Sequence, residues 1–168
     1  KLIQSVKDNR VAHAQLFLGT EGIGKLALAI AYAQYINCTD KQENDSCGQC
    51  PSCRKYKALA HPDLHFIFPT TTNKSVKKDP ESELFQAEWR EYLVKNDCYA
   101  ALSSWYSTLD VENKQGTINV RDASTIMKTL NLKAYEAEYK VVIIWMAEKL
   151  NVHAANKMLK LLEEPPEK

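Results

Sequence analysis

The stretch FLGTEGIGKLALA, Phe17 to Ala29, constrains the fold more than any other part of the chain. Gly19, Gly22, Gly24 and Lys25 give the spacing G-x-x-G-x-G-K, set between the apolar run His13–Gly19 and the apolar segment Lys25–Ile36. In a phosphate-binding loop the glycines let successive backbone N–H groups curl around phosphate oxygens. The following helix adds its dipole, and the lysine supplies positive charge for the β and γ oxygens. Such a loop joins a strand to a helix, so the pattern predicts a strand over His13–Gly19 and a helix over Lys25–Ile36. That helix is apolar nearly all round and is expected to be buried. A plain glycine turn carrying a surface lysine is the weaker reading. One position breaks the pattern: Leu26 stands where a Ser or Thr hydroxyl would ligate Mg²⁺.

Two further strands are expected. In DLHFIFP (Asp63–Pro69) Leu64, Phe66 and Phe68 alternate with His65 and Ile67. KVVIIWM (Lys140–Met146) is a continuous apolar run of the kind that forms a central parallel strand covered on both faces. Strands separated by long helical crossovers indicate an α/β fold with a parallel sheet flanked by helices. Ile118–Leu130 reads as a short extended piece followed by a helix presenting Ile126 and Leu130. A last helix opens at Asn151, a good N-cap, is expected to bury Val152, Ala155, Met158, Leu159 and Leu162, and stops at Pro165 and Pro166.

Residues 74 to 116 do not fit this alternation and read as a helical insertion packed on the core, starting near Asp79-Pro80. One expected face holds Leu84, Phe85, Trp89, Tyr92 and Leu93, and another Tyr99, Leu102, Trp105, Tyr106 and Leu109. A partner surface is the alternative use of these aromatics.

A phosphate loop that hydrolyses ATP works with an acidic pair at the end of a neighbouring strand, which holds Mg²⁺ and polarises water. After Val141–Ile144 those two positions are Trp145 and Met146, which can neither ligate magnesium nor accept a proton. Glu148 lies two residues further on, where the turn aims it elsewhere. Neither ATP hydrolysis nor an ATP/Mg²⁺ cofactor is therefore expected, and no catalytic residues are assigned. His13, His61, His65 and His153 form no catalytic spacing.

Cys38, Cys47, Cys50 and Cys53 give C-x8-C-x2-C-x2-C. Tetrahedral Zn²⁺ needs four thiolates converging at about 2.3 Å, and short C-x2-C turns supply them. Four cysteines fill the coordination sphere, so a structural zinc module over 38–53 is expected, with His61 near it but not needed. Disulfides and free thiols are the alternatives; Cys98 stands alone as a packing residue. No signal peptide is visible, which fits a reducing compartment. A formal net charge of +1 gives no bulk attraction to nucleic acid. No apolar run is long enough to cross a membrane. The first residue is Lys1 and the last, Lys168, follows the proline pair closely, so the chain is expected to be a piece of a longer protein.

HAQLFLGTEGIGK, the cysteine spacing, HPDLHFIFP and KVVIIWMAEKLNVHAANKMLKLLEEPP, in that order, resemble the delta-prime family of bacterial DNA polymerase III clamp-loader subunits. The resemblance covers roughly residues 8 to 70 and 117 to 168, and the insertion at 74–116 departs from it. It implies an N-terminal AAA+ domain over 1–168, with small lid and helical collar domains lying outside this chain. It further implies a cytoplasmic stator with a degenerate nucleotide site at Gly19, Gly22, Gly24 and Lys25. That stator acts beside gamma/tau and delta subunits and meets the sliding clamp and primer-template DNA through the complex. Leu26, Trp145 and Met146 fit the stator. The Ser-Arg-Cys motif whose arginine reaches a neighbour's ATP would lie after Lys168. The other two readings are an ATP-hydrolysing motor subunit of gamma/tau type and an unrelated zinc-containing P-loop NTPase. In the stator reading the glycine loop persists because it shapes the strand-to-helix turn, and it is left able to take up a phosphate or sulfate.

Overall fold

The computed structural model describes residues 1–111 and 113–163. In chain order it places α1 (Leu2–Lys7), α2 (Lys25–Ile36), α3 (Pro51–Lys57), β1 (Leu64–Ile67), α4 (Gln86–Lys95), α5 (Leu102–Thr108), α6 (Val120–Asn131), β2 (Val141–Ile144) and α7 (Val152–Glu163). Short 3₁₀ turns at Ser82–Phe85 and Ala147–Lys149 lead into α4 and α7. The stopping role of Pro165 and Pro166 falls outside the described residues.

The two strands pair in parallel, with Leu64 opposite Val141 and Ile67 opposite Ile144. Because successive side chains point to opposite faces, this small sheet divides the interior in two. Leu64, Phe66, Val141, Ile143 and Trp145 face one core, shared with α2, α3, α4 and α5. Ile67, Val142 and Ile144 face the other, closed by Ile118, Ala123 and Ile126 of the α6 segment and Ala154 and Met158 of α7. The expected α/β class, parallel pairing and two-sided cover are therefore present on a two-stranded scale.

The expected first strand is not formed. Among the described residues His13–Gly19 has no ladder partner, and Leu16 and Leu18 are exposed. A strand is held by backbone bonds to a neighbour, and the two-stranded sheet ends at β2. The run is tethered instead by side chains: His13 Nε2 pairs with the Leu162 carbonyl at 3.0 Å, and Gln15 Nε2 donates to the Tyr32 hydroxyl at 3.1 Å. A fuller P-loop sheet is thus not seen in these residues.

The helix over Lys25–Ile36 forms with the expected bounds and buries Leu26, Ile30, Tyr32, Ala33, Tyr35 and Ile36. α6 opens with a capping box. Asn119 Oδ1 accepts from the Arg121 and Asp122 amides, and Asp122 Oδ2 accepts from the Asn119 amide. The other end of α6 is closed from β2: Lys140 Nζ donates to the carbonyls of Thr129, Leu132 and Lys133 at 2.7–3.0 Å. Asn151 caps α7, its Oδ1 accepting from the Ala154 amide. The buried face of α7 matches the expected one at Met158 and differs elsewhere. Ala154 and Met158 turn inward while Val152, Leu159 and Leu162 are exposed. The helix carries two apolar stripes, and the contact with α6 selects the one with the small residue, where the backbones can approach.

The insertion packs on the core, as expected, through Phe85, Trp89, Tyr92, Leu93, Trp105, Tyr106 and Leu109. Leu84 and Tyr99, placed on the same faces by periodicity, are exposed. Its helical turn starts at Ser82 instead of at Pro80. Trp89 is the centre of this packing, within 6.5 Å centroid distance of Phe66, Phe68, Tyr92, Trp105 and Trp145. The insertion also covers the outer edge of β1. Gln86 Nε2 donates to the Phe66 carbonyl, Ser82 Oγ accepts from the Phe68 amide and donates to its carbonyl, and Trp105 Nε1 donates to the Pro69 carbonyl.

Truncating a fully buried, closely packed tryptophan costs about 3–5 kcal/mol, so Trp89→Ala is expected to lower stability by that amount. Leu84→Ala, on the exposed side of the same segment, should change it by less than about 0.5 kcal/mol. Chemical denaturation of both variants tests this, and equal effects would overturn the assignment of the packed face.

Candidate nucleotide loop and cysteine centre

Two groups of residues singled out in the sequence sit at the two ends of α2. At its start, Gly24 adopts φ 82° immediately before the first helical residue, Lys25, and Gly22 has the same φ. Both values lie in the left-handed region that side chains other than glycine disfavour. The glycines therefore let the chain turn tightly into α2. Its lysine is turned inward: Lys25 Nζ donates to the carbonyls of Gly19 and Thr20, at 2.8 and 2.5 Å. Leu26, the residue in the metal-ligand position, is buried in the core.

The strand end that would face such a loop is occupied by rings. Trp145 packs on Trp89 at 5.0 Å between centroids. Met146 adopts φ 60°, turning the chain sharply into the 3₁₀ turn, and Glu148 on that turn is exposed. The insertion reaches the loop a second time through Tyr99, whose ring lies beside Gly24. A Cβ placed on Gly24 would be 3.2 Å from Tyr99 Cε1. Neither contact was legible from sequence, because nothing in the spacing of residues 89 or 99 points to residues 145 or 24.

Beyond the far end of α2, the four cysteines converge. Their Sγ atoms all lie within 4.8 Å of one another, with Cys38–Cys50 at 4.0 Å and Cys47–Cys53 at 3.9 Å. Four sulfurs at about 2.3 Å from a common tetrahedral centre stand about 3.8 Å apart, so the cluster has the dimensions of a metal cage. Local chain geometry explains the convergence. Gly48, at φ 70°, turns the Cys47–Cys50 knuckle, and Cys50 caps α3 with Pro51 as its first residue. Backbone amides donate to the sulfurs: Cys47 to Cys38, Gln49 and Cys50 to Cys47, and Cys53 to Cys50, at 3.2–3.4 Å. These bonds orient the ligand atoms and stabilise thiolates.

The thiols of the set are not equivalent. Burial opposes the Cys50 thiolate, but donors from Thr39, the Cys53 amide and the Cys53 thiol outweigh it and bring the group to about 5. Burial, reinforced by the hydrogen bonds with Cys50 and Cys38, pushes Cys53 up to about 12. Burial also raises Cys38. The Cys50 thiolate is favoured, while burial disfavours those of Cys38 and Cys53. Cys98 is half-buried against the aromatic core and takes no part in this cluster.

The histidines are dispersed. His61 stacks on Tyr56 at 4.6 Å, accepts the Asp63 amide at Nδ1 and lies 3.4 Å from Glu136. Burial holds it below its ordinary pKa against the pull of Glu136 and Asp63, and His65 on β1 is lowered by burial as well. Its neighbour Asp63, fully buried, accepts the backbone amides of Tyr135, Glu136 and Ala137 at 2.6–3.0 Å. Those three donors outweigh burial and keep the carboxyl below its usual range. Asn37 similarly binds the amide and carbonyl of Tyr139. These bonds fix the approach to β2 and carry no visible chemistry.

The family model described as DNA polymerase III, delta subunit, matches residues 1–168. The DNA polymerase III subunit delta' of Escherichia coli is 29% identical over 166 residues, 99% of this chain and 37% of that protein. That of Pseudomonas aeruginosa is 29% identical over 154 residues, 92% of this chain and 34% of its own length. The DNA polymerase III subunit tau/gamma of Haemophilus influenzae is 26% identical over 166 residues, 99% of this chain and 18% of that protein. The chain thus spans about a fifth to a little over a third of the length of these curated relatives.

Replacing Trp145 by Asp restores an acid at the strand end but sets a carboxylate against the ring of Trp89. A stability loss of about 2–4 kcal/mol is expected, with no gain in Mg²⁺ affinity. A Trp145→Asp protein as stable as wild type, measured by denaturant titration, would contradict the packing described.

Proposed function

The chain belongs to the DNA polymerase III delta-subunit family, and from that premise we propose that it is the AAA+ part of a non-hydrolysing, delta-prime-type clamp-loader subunit. Residues 1–168 form its N-terminal domain, with a zinc module at 38–53 and the insertion at about 74–116, and lid and collar domains belong to the remainder of the protein. The full-length protein works in the bacterial cytoplasm. There it stands beside gamma/tau and delta subunits in a ring that places the sliding clamp on primer-template DNA. Its contribution is a fixed surface, and the arginine that reaches a neighbour's ATP lies outside these residues. Among the described residues no helix is long and apolar enough to cross a membrane.

The observation that carries this reading is the state of the strand end. A working ATPase needs carboxylates there to hold magnesium and polarise water. Here Trp145 is packed into the aromatic cluster of the insertion and Leu26 into the core below the loop. Gly19, Gly22, Gly24 and Lys25 then serve as the turn that starts α2. The motor reading draws support from the tau/gamma relative, but two lost magnesium ligand positions count against it. An unrelated P-loop enzyme would not share the delta-subunit match along the whole chain.

Cys38, Cys47, Cys50 and Cys53 fit Zn²⁺ by their spacing and donor set. The ion would neutralise the clustered thiolates and fix the excursion between α2 and β1. It would be structural, because four cysteines leave no position for a substrate.

Metal analysis of protein purified without chelator is expected to find one Zn²⁺ per chain. Structural zinc contributes about 10–16 kcal/mol of apparent binding free energy in small peptides, so chelation should unfold at least this module. Absence of zinc, or disulfides among these cysteines, would overturn the assignment.

The full-length protein alone should release no phosphate from ATP above background, and Leu26→Thr alone should not create turnover. Clamp loading reconstituted with the other subunits should fail when this protein is omitted. Phosphate release that disappears in Lys25→Ala would make it a motor instead.

A further inference from the structure

We propose that the insertion is a built-in cover for the nucleotide loop, with Tyr99 as its contact point, so that the chain excludes nucleoside polyphosphates sterically. The inference rests on the non-hydrolysing reading above and extends it from hydrolysis to binding, which loss of magnesium ligands alone does not block. A P-loop without its Ser and its acids still has backbone amides and a lysine with which to hold phosphates. Silence of binding, as distinct from silence of hydrolysis, needs something in the way.

Three observations converge on Tyr99. First, its ring borders Gly24 at van der Waals range, beside the amides on which a phosphate would sit, and Lys25 is already turned to the carbonyls of Gly19 and Thr20. Second, the turn that carries Tyr99 is held in an unusual shape. Asp97 and Cys98 are consecutive left-handed residues, φ 49° and 63°, and neither is glycine. Such a conformation costs free energy and persists only where surrounding bonds impose it. Here the Cys98 amide donates to the Leu93 carbonyl, the Tyr99 amide to Asn96, and the Tyr92 hydroxyl bonds both the amide and the carbonyl of Ala101. Third, the helices on either side of the turn are anchored by Trp89, Tyr92 and Trp105, which pack on one another, and Trp89 packs in turn on Trp145 at the strand end. Cover and strand end are one packed unit, while Tyr99 itself is 57% exposed and contributes little to the core. An exposed aromatic on a strained, braced turn over a glycine is what a cover requires, and what a mere core helix pair does not.

The test uses full-length protein, wild type and with Tyr99→Ala or Tyr99→Phe, titrated with fluorescent ADP in the absence of magnesium. Tyr99→Ala is expected to bind at least tenfold more tightly than wild type, Tyr99→Phe no better than wild type. Lys25→Ala in the Tyr99→Ala background should remove the gain. Retained zinc and an unchanged denaturation midpoint establish that Tyr99→Ala is folded, as its exposure predicts. If Tyr99→Ala binds no better than wild type, whether both bind or neither does, the cover is overturned. That outcome leaves the non-hydrolysing reading intact, which falls only on ATP turnover by the wild type.

Discussion

The buried indole of Trp89 is the constraint on which most of the interior depends. It stacks on Phe68 at 4.4 Å, meets Trp105 edge-on at 4.9 Å and lies against Trp145 at 5.0 Å. One side chain therefore links both insertion helices, β1 and the end of β2. Its Nε1–H has no hydrogen-bond acceptor among the described residues, a cost accepted for ring packing on every side. The residue at the strand end and the aromatic insertion are thus parts of one packed unit. A carboxylate at 145 would set a charge against the ring of Trp89.

Much of this was legible in the sequence, for physical reasons that differ by element. α2, α6 and both strands follow from apolar periodicity and cap chemistry, which are local. The cysteine cluster follows from spacing, because C-x2-C leaves the chain few ways to place its sulfurs. What failed was decided at long range. Periodicity could not choose between the two apolar stripes of α7, since only contact with α6 does so. It could not tell that His13–Gly19 would lack a ladder partner. Nor could it separate Trp89 from Tyr99: both sit at helical spacing within the insertion, yet one is fully buried and the other borders the glycine loop.

The polar staples missed in the sequence share a pattern. Asp63, Asn37 and Lys140 each serve several backbone groups of the segment between α6 and β2 or of the helix end before it. Each is a side chain satisfying main-chain donors or acceptors that no strand or helix could reach. Together with the cysteine knuckle they hold the sheet's N-terminal side by hydrogen bonds, while its C-terminal side is held by aromatic rings.

The side-chain bonds from Gln86, Ser82 and Trp105 to the outer edge of β1 carry a separate consequence. An unpaired strand edge is a template for another strand, and here that template is interrupted on one side at Phe66 and just beyond the strand at Phe68. Gln86 already occupies the Phe66 carbonyl on that edge, so a strand added to the sheet meets less competition along Val141–Ile144 than along β1.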